Sequence, residues 1–321
     1  MFFFLMFLGI FMVISSCSWL AMWIGLEINL LAIIPLMNNK FMQFTESSFK
    51  YFMTQALASS ILLFSMILLT KYSMNIYFIM FNSAIFMKMG ATPFHFWLPE
   101  VMEGLNWNMN YLLMTMQKIA PFNMIFMNNT LFLYLIIIFS MLTSGILGIN
   151  QISLKKIMAY SSINHIGWML ASLLTSKLIW MFYFLTYSLI NLNLVMIFKK
   201  FNIFSLIQMF NIFNQNFFMK LIYIFNFFSL AGLPPFLGFL PKWLTIQFLL
   251  PNFIMLSIFM VMLTLMTMFF YLKFSLPFFL INFMKTNYKM NFQMKKNFSI
   301  YLINTLSLIL LIIISMLTNF L

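Results

Sequence analysis

Charged side chains are so thinly spread along this chain that stretches of 20 or more residues pass without one, as at 51–70, 119–154, 157–176, 178–198, 221–241 and 243–272. A soluble protein cannot cover its surface with so little charge. Charged residues are 7% of the chain, against about 25% in ordinary globular proteins. Apolar residues make up 64%, and the mean hydropathy is +1.02. Lipid is therefore the solvent. A helix that crosses its ~30 Å hydrocarbon core needs ~20 apolar residues.

Candidate spans fall near 3–24, 26–39 (short), 51–70, 75–91, 108–128, 131–152, 157–175, 178–198, 219–250 (long and interrupted), 252–274 and 299–320. In lipid each span has to satisfy its own backbone, so the expected fold is all-α and polytopic, with about 11 transmembrane helices. A barrel would instead show ~10-residue alternating segments, and these are absent from the sequence. The first apolar run lacks a basic leader and a small-residue cleavage site, so it reads as a retained first helix.

The net charge is +13, and all 17 basic residues are Lys; Arg and Asp are absent. These lysines read as topology signals and not as a nucleic-acid surface. Among the loops that follow odd-numbered spans only Lys71 and Lys177 are basic, whereas those after even-numbered spans hold twelve lysines from Lys40 to Lys296. Positive loops stay on the side of synthesis. The N-terminus is expected on that side and the C-terminus, after eleven spans, on the other.

One internal repeat stands out. Gly90, Pro93, Phe94, Leu98 and Pro99 recur as Gly232, Pro235, Phe236, Leu240 and Pro241, 142 residues later. The first copy closes span 4 and the second interrupts span 9. Five spans apart, the copies face opposite ways. Inverted repeats with Gly/Pro-broken helices point to an ion pathway at the repeat interface. The blander reading, that Gly and Pro only mark loops, has to treat five matched positions as coincidence. The whole of 1–321 reads as one domain, with repeat one at about 3–128, repeat two at about 131–274 and a C-terminal helix at about 299–320.

Charges inside spans cost about 2.5–3.5 kcal/mol each on insertion scales and so need a reason. Glu27 is the only acid inside a span. Lys88 lies two residues before Gly90, Lys118 three residues before Pro121, and Lys242 directly after Pro241. Lys suits proton transfer where Arg does not, because Arg does not release its proton in proteins. The rival readings are a structural Glu27–Lys88 ion pair and a Lys242 that snorkels to the interface. His165 is a possible relay group. His95 lies at the first break. The two histidines sit on separate elements and do not read as a haem pair. Glu100 and Glu103 read as a wetted loop.

No metal set, catalytic triad, Gly-rich phosphate cradle or nucleotide fingerprint is present. The single Cys17 supports neither a disulfide nor a cluster site. No cofactor is expected in this chain, and any electron chemistry would occur elsewhere. The 45 Phe and 34 Met, with abundant Ile, Asn and Lys, fit an A/T-biased genome that reads an extra codon as Met, as animal mitochondrial genomes do.

The runs W-I-G-L-E-I-N-L-L (23–31), K-M-G-A-T-P-F-H-F-W-L-P-E (88–100), Q-K-I-A-P (117–121), A-Y-S-S-I-N-H-I-G-W-M (159–169) and G-L-P-P-F-L-G-F-L-P-K-W (232–243) resemble the subunit 2 family of mitochondrial NADH dehydrogenase (ubiquinone). These are antiporter-like subunits of respiratory complex I, and the Met- and Phe-rich bias resembles their insect forms. The resemblance covers nearly the whole chain. It implies a five-plus-five inverted repeat, without the three extra N-terminal helices of bacterial relatives. It assigns Glu27 and Lys88 to a Glu–Lys pair, Lys118 to the central Lys and Lys242 to the Lys of the second broken helix, with His165 at a family position of less defined role.

The resemblance further implies proton translocation in the mitochondrial inner membrane, coupled to NADH oxidation and ubiquinone reduction in other subunits. Flavin and iron–sulfur clusters would sit in those partners. Subunits 4L and 4 would be neighbours, alongside accessory subunits and lipids, with the N-terminus in the matrix and the C-terminus in the intermembrane space. A free-standing sodium/proton antiporter would need an ion site, usually with Asp, and there is none. A structural bundle that only scaffolds the complex is the third class.

Overall fold

The apolar runs become helices because a chain in lipid has no other way to pair its N–H and C=O groups. The computed structural model describes residues 1–37, 42–72, 75–127, 132–213 and 217–280. Among them there are fourteen helices and no strand, apart from one isolated bridge between Ser153 and Ser205. The helices are α1 (Phe2–Ser15), α2 (Trp19–Met37), α3 (Met42–Lys71), α4 (Asn75–Met89), α5 (Trp97–Gly104), α6 (Trp107–Met114), α7 (Met116–Phe126), α8 (Phe132–Gly148), α9 (Leu154–Thr175), α10 (Lys177–Phe201), α11 (Leu206–Phe213), α12 (Phe217–Ala231), α13 (Phe239–Leu249) and α14 (Ile254–Leu280). Four are long and apolar enough to cross a membrane: 19–37, 44–71, 177–201 and 254–275. The expected helix at 299–320 and the lysine-rich segment before it lie outside the described residues.

Three expected boundaries move. The first two spans were expected to meet at residue 25, but the chain turns at 16–18 instead. Ser15 and Ser16 donate their hydroxyls back to Met12 and Val13 carbonyls, offering the backbone an alternative to continued helix. Gly25 lies mid-helix, where α2 crosses α1. A Cβ added there would lie 2.9 Å from the Gly9 carbonyl oxygen, and one at Gly9 would lie 2.8 Å from that of Gly25. Small residues permit this close crossing.

The span expected at 108–128 is two helices meeting at Thr115, whose hydroxyl donates to the Tyr111 carbonyl at 2.7 Å. Helix α3 begins nine residues before the expected 51, and Glu100 and Glu103 lie on α5 rather than in a loop. Pro99 in the first turn of α5 leaves that short helix intact, since its missing N–H has no partner there anyway.

The two copies of the repeat share a backbone. Helices α4 and α12 each end on a left-handed glycine, Gly90 (φ 73°) and Gly232 (φ 80°), a conformation that costs other residues steric strain. Ala91 N–H donates to the Phe86 carbonyl and Leu233 N–H to that of Phe228, at 3.0 and 3.1 Å. These are the closing bonds of a glycine C-cap. Phe94 N–H to Ala91 and Phe236 N–H to Leu233 repeat the next turn. The Thr92–Pro93 and Pro234–Pro235 bonds are both cis.

Helix α9 runs through the middle of the bundle, packed by α5, α6, α8, α10 and α13. Every residue from Ser161 to Leu173 is buried, as expected of a helix enclosed on all sides. The polar groups it carries therefore meet other protein groups and not lipid.

Candidate functional site

Each lysine singled out by its membrane cost is buried. Lys88 is 7% exposed, Lys118 1% and Lys242 5%. Each has a different kind of neighbour.

Lys88, near the end of α4, faces Glu27 on α2. Nζ to Oε1 is 3.9 Å, a Coulombic contact too long for a direct hydrogen bond. The lysine side chain is almost enclosed, while the Glu27 side chain keeps 26% of its surface open. Beside Lys88, Gln55 on α3 donates to the Lys88 main-chain carbonyl at 3.4 Å.

Lys118 opens the first turn of α7. Its ammonium donates to the Ser162 carbonyl on α9 at 3.2 Å and lies 5.3 Å from the centre of the Tyr187 ring on α10. A cation over an aromatic face is attracted by the ring quadrupole. The same Tyr187 ring lies 4.8 Å from that of His165, and His165 Nδ1 shares a 2.9 Å hydrogen bond with the Tyr183 hydroxyl. Tyr187 thus touches both Lys118 and His165.

Lys242, on α13, does not snorkel. Its ammonium turns back and donates to the Ala231 carbonyl at 2.7 Å and to that of Leu230 at 3.3 Å. These are carbonyls from the last turn of α12, which lack helical donors and form the negative end of its dipole. The face of Trp168, on α9, lies 5.6 Å from the ammonium.

The structure thus places Glu27 with Lys88, sets Lys118 and His165 on the tyrosines of α10, and holds Lys242 against the end of α12 and Trp168 of α9. His95, in the turn after Gly90, is apart from this set, with Nδ1 3.3 Å from the Pro93 carbonyl. Tyr183, Tyr187, Trp168 and Gln117 escaped the sequence reading. An aromatic or amide in an apolar run has no charge to betray it. Gln117, directly before Lys118, was the one with a visible cue. Glu46, Glu100 and Glu103 lie instead at the surface, where Lys50 meets Glu46 and Glu100 at 3.1 Å each, and Lys156 meets Glu103 at 2.7 Å. Such exposed pairs contribute little to stability. Among the described residues, no three His, Cys, Asp or Glu side chains come together as a metal site.

Residues 16–270 match the family described as NADH:quinone oxidoreductase/Mrp antiporter, transmembrane. NADH-ubiquinone oxidoreductase chain 2 of Anopheles gambiae is 47% identical over 96% of this chain and 94% of its own length. That of Lemur catta is 37% identical over 94% and 91%. In fold, the chain resembles one from respiratory complex I of Thermus thermophilus, with a TM-score of 0.79 and 23% identity over 86% of this chain and 69% of that one. It also resembles one from the Mrp complex of a Dietzia species, with a TM-score of 0.72 and 16% identity over 85% and 59%. The chain belongs to the NADH:quinone oxidoreductase/Mrp antiporter transmembrane family, among the chain 2 proteins of NADH-ubiquinone oxidoreductases.

Proposed function

We propose that this chain is a proton-translocating membrane subunit of a mitochondrial NADH:ubiquinone oxidoreductase, resident in the inner membrane. The observation that carries the reading is the set of proton-bearing groups Lys88, Lys118, His165 and Lys242, all buried, with the half-buried Glu27 beside Lys88, held on α2, α4, α7, α9 and α13. A bundle that only scaffolds would gain nothing from lysines enclosed away from both water and lipid.

In this reading α4–α5 and α12–α13 are the two broken spans of an inverted repeat. With α6–α7 counted as one span and short α11 as a connector, the described helices form ten spans and 299–320 supplies an eleventh. The loop lysines put the N-terminus in the matrix and the C-terminus in the intermembrane space. NADH oxidation and ubiquinone reduction take place in partner subunits that carry the flavin and iron–sulfur clusters. Subunits 4L and 4 are the proposed neighbours. The part played by this chain is to pass protons between its lysines as the charge of the Glu27–Lys88 pair is made and unmade.

The test is Lys118→Met in the intact complex of a genetically tractable relative, read as protons pumped per NADH oxidised. Pumping should fall while NADH oxidation by an artificial electron acceptor is unchanged. Full pumping in an assembled Lys118→Met complex would overturn the reading in favour of a scaffold.

A further inference from the structure

The Glu27–Lys88 pair and Lys118 are on different helices, and between α2, α3, α4 and α7 lies a small void. Its volume is about 10 Å³, and it is lined by Asn29, Tyr51, Gln55, Lys88 and Gln117 together with Leu26, Leu30 and Pro121. One buried water needs about 10–15 Å³ and two to four polar partners. Five polar side chains border a space fit for one molecule.

Two of the lining residues point to what the void is for. Lys88 Nζ has no hydrogen bond to any described residue, because the Glu27 oxygen at 3.9 Å is out of reach. An ammonium has three protons to donate, and a polar separation beyond 3.5 Å invites a bridging water. On the opposite side, Pro121 in α7 has no N–H to give to the carbonyl four residues earlier. That carbonyl belongs to Gln117, which therefore lacks its usual helical donor, and both residues line the space. The Gln117 side chain is itself held in place. Its Nε2 donates to Asn29 Oδ1 at 2.9 Å, and the Tyr51 hydroxyl donates to its Oε1 at 3.4 Å. Asn29 is on α2, two residues after Glu27, and Tyr51 is on α3.

We propose that this void is a binding site for a single water that bridges the Lys88 ammonium to α7, and that Gln117 is its positioning residue. The water accepts a hydrogen bond from Lys88 Nζ and donates toward Gln117. Asn29 and Tyr51 fix the Gln117 amide so that the bridge has one geometry. The pair on α2 and α4 is thereby joined by hydrogen bonds to the residue next to Lys118. This inference rests on the proton-translocating reading above and deepens it.

The experiment is a high-resolution electron-microscopy map of the intact complex that contains this chain, together with Gln117→Leu, Tyr51→Phe and Lys118→Met complexes from a tractable relative with the same residues. The proposal expects solvent density within hydrogen-bond distance of both Lys88 Nζ and Gln117. It expects that density to vanish in Gln117→Leu while the surrounding helices superpose, and protons pumped per NADH to fall. Tyr51→Phe, which deletes one oxygen, should give a smaller fall and serves as the variant if Gln117→Leu does not assemble. Absence of the density in the native map overturns the proposal. So does unchanged pumping in assembled Gln117→Leu or Tyr51→Phe while Lys118→Met has lost it, a result that leaves the proton-translocating reading standing. Full pumping in all three would remove that reading and this one with it.

Discussion

The turns after α4 and after α12 have the same backbone, yet they present their lysines from opposite arms. In the first, Lys88 precedes the glycine by two residues and finds a carboxylate on a neighbouring helix. In the second, Leu230 occupies the place that Lys88 has in the repeat. The ammonium arrives instead from Lys242, ten residues beyond Gly232, and rests on the Leu230 and Ala231 carbonyls. The residue at the Lys242 place of the first copy is Glu100, which lies at the surface against Lys50. One backbone device thus stabilises a buried cation in two ways, with a formal counter-charge in one half and with the orphan carbonyls of a helix end in the other. A charge pair can be broken by moving or neutralising its partner. Carbonyl ligands keep their partial charge whatever the protonation of the groups around them.

The largest effect expected from a single change tests whether the second turn tolerates any remodelling. A Cβ at Gly238 would collide with the Ser229 main-chain carbonyl, whereas one at Gly145 would come no nearer than 3.5 Å to any neighbour. Overpacking costs about 1–3 kcal/mol and occasionally more, and a backbone obstacle puts Gly238→Ala at the upper end. Its assembled complex should be scarce on native gels, with Gly145→Ala close to normal. Equal yields would mean that the α12–α13 turn is looser than described.

The comparison of partners is sharpened by a pair of double-mutant cycles. Glu27→Gln and Lys88→Met should each lower protons pumped per NADH, and the double variant should lose less than the two losses combined, since contacting residues couple by about 0.5–3 kcal/mol. Glu27→Gln with Lys242→Met should combine additively, to within about 0.5 kcal/mol. Coupling of Glu27 to Lys242 as strong as to Lys88 would break the distinction between the halves.

A smaller effect separates the two glycines. Forcing a side chain into the left-handed region costs about 1–2 kcal/mol, so Gly90→Ala and Gly232→Ala should lower the melting temperature of the complex alike. They should differ in pumping. The added methyl at Gly232 lies 2.7 Å from Lys242 Cδ, while that at Gly90 meets the Leu98 and Trp97 side chains at 3.1–3.3 Å. Gly232→Ala should therefore reduce protons pumped per NADH more than its stability loss accounts for, and Gly90→Ala should not.

The sequence was most legible where burial is expensive. Glu27, Lys88, Lys118 and Lys242 stood out because lipid penalises charge, and all three lysines are buried. The repeat was legible because Gly and Pro have few alternatives at a tight turn. The ligands were far less so. No side chain announces that the Leu230 and Ala231 carbonyls will hold an ammonium, since every residue carries that group. Tyr183 and Tyr187 look like any aromatic of a spanning helix until the pairing of α9 with α10 is known. The start of α2 was misplaced because Gly25 reads equally as a boundary or as a crossing point, and only the tertiary contact with Gly9 decides between them.

The carbonyl-bound ammonium of Lys242 has a consequence for inheritance. One base change at the Glu27 codon is enough to take away the acid beside Lys88. No missense change at codons 230 or 231 deletes the oxygens that hold Lys242, because each encodes a different side chain on an unchanged peptide. Side-chain identity at those two codons is free to drift within the limits of size, whereas position 27 has no substitute other than another acid. In a chain with four acidic residues in all, grounding a buried cation in the main chain places its acceptors, though not the lysine itself, beyond the reach of ordinary point mutation.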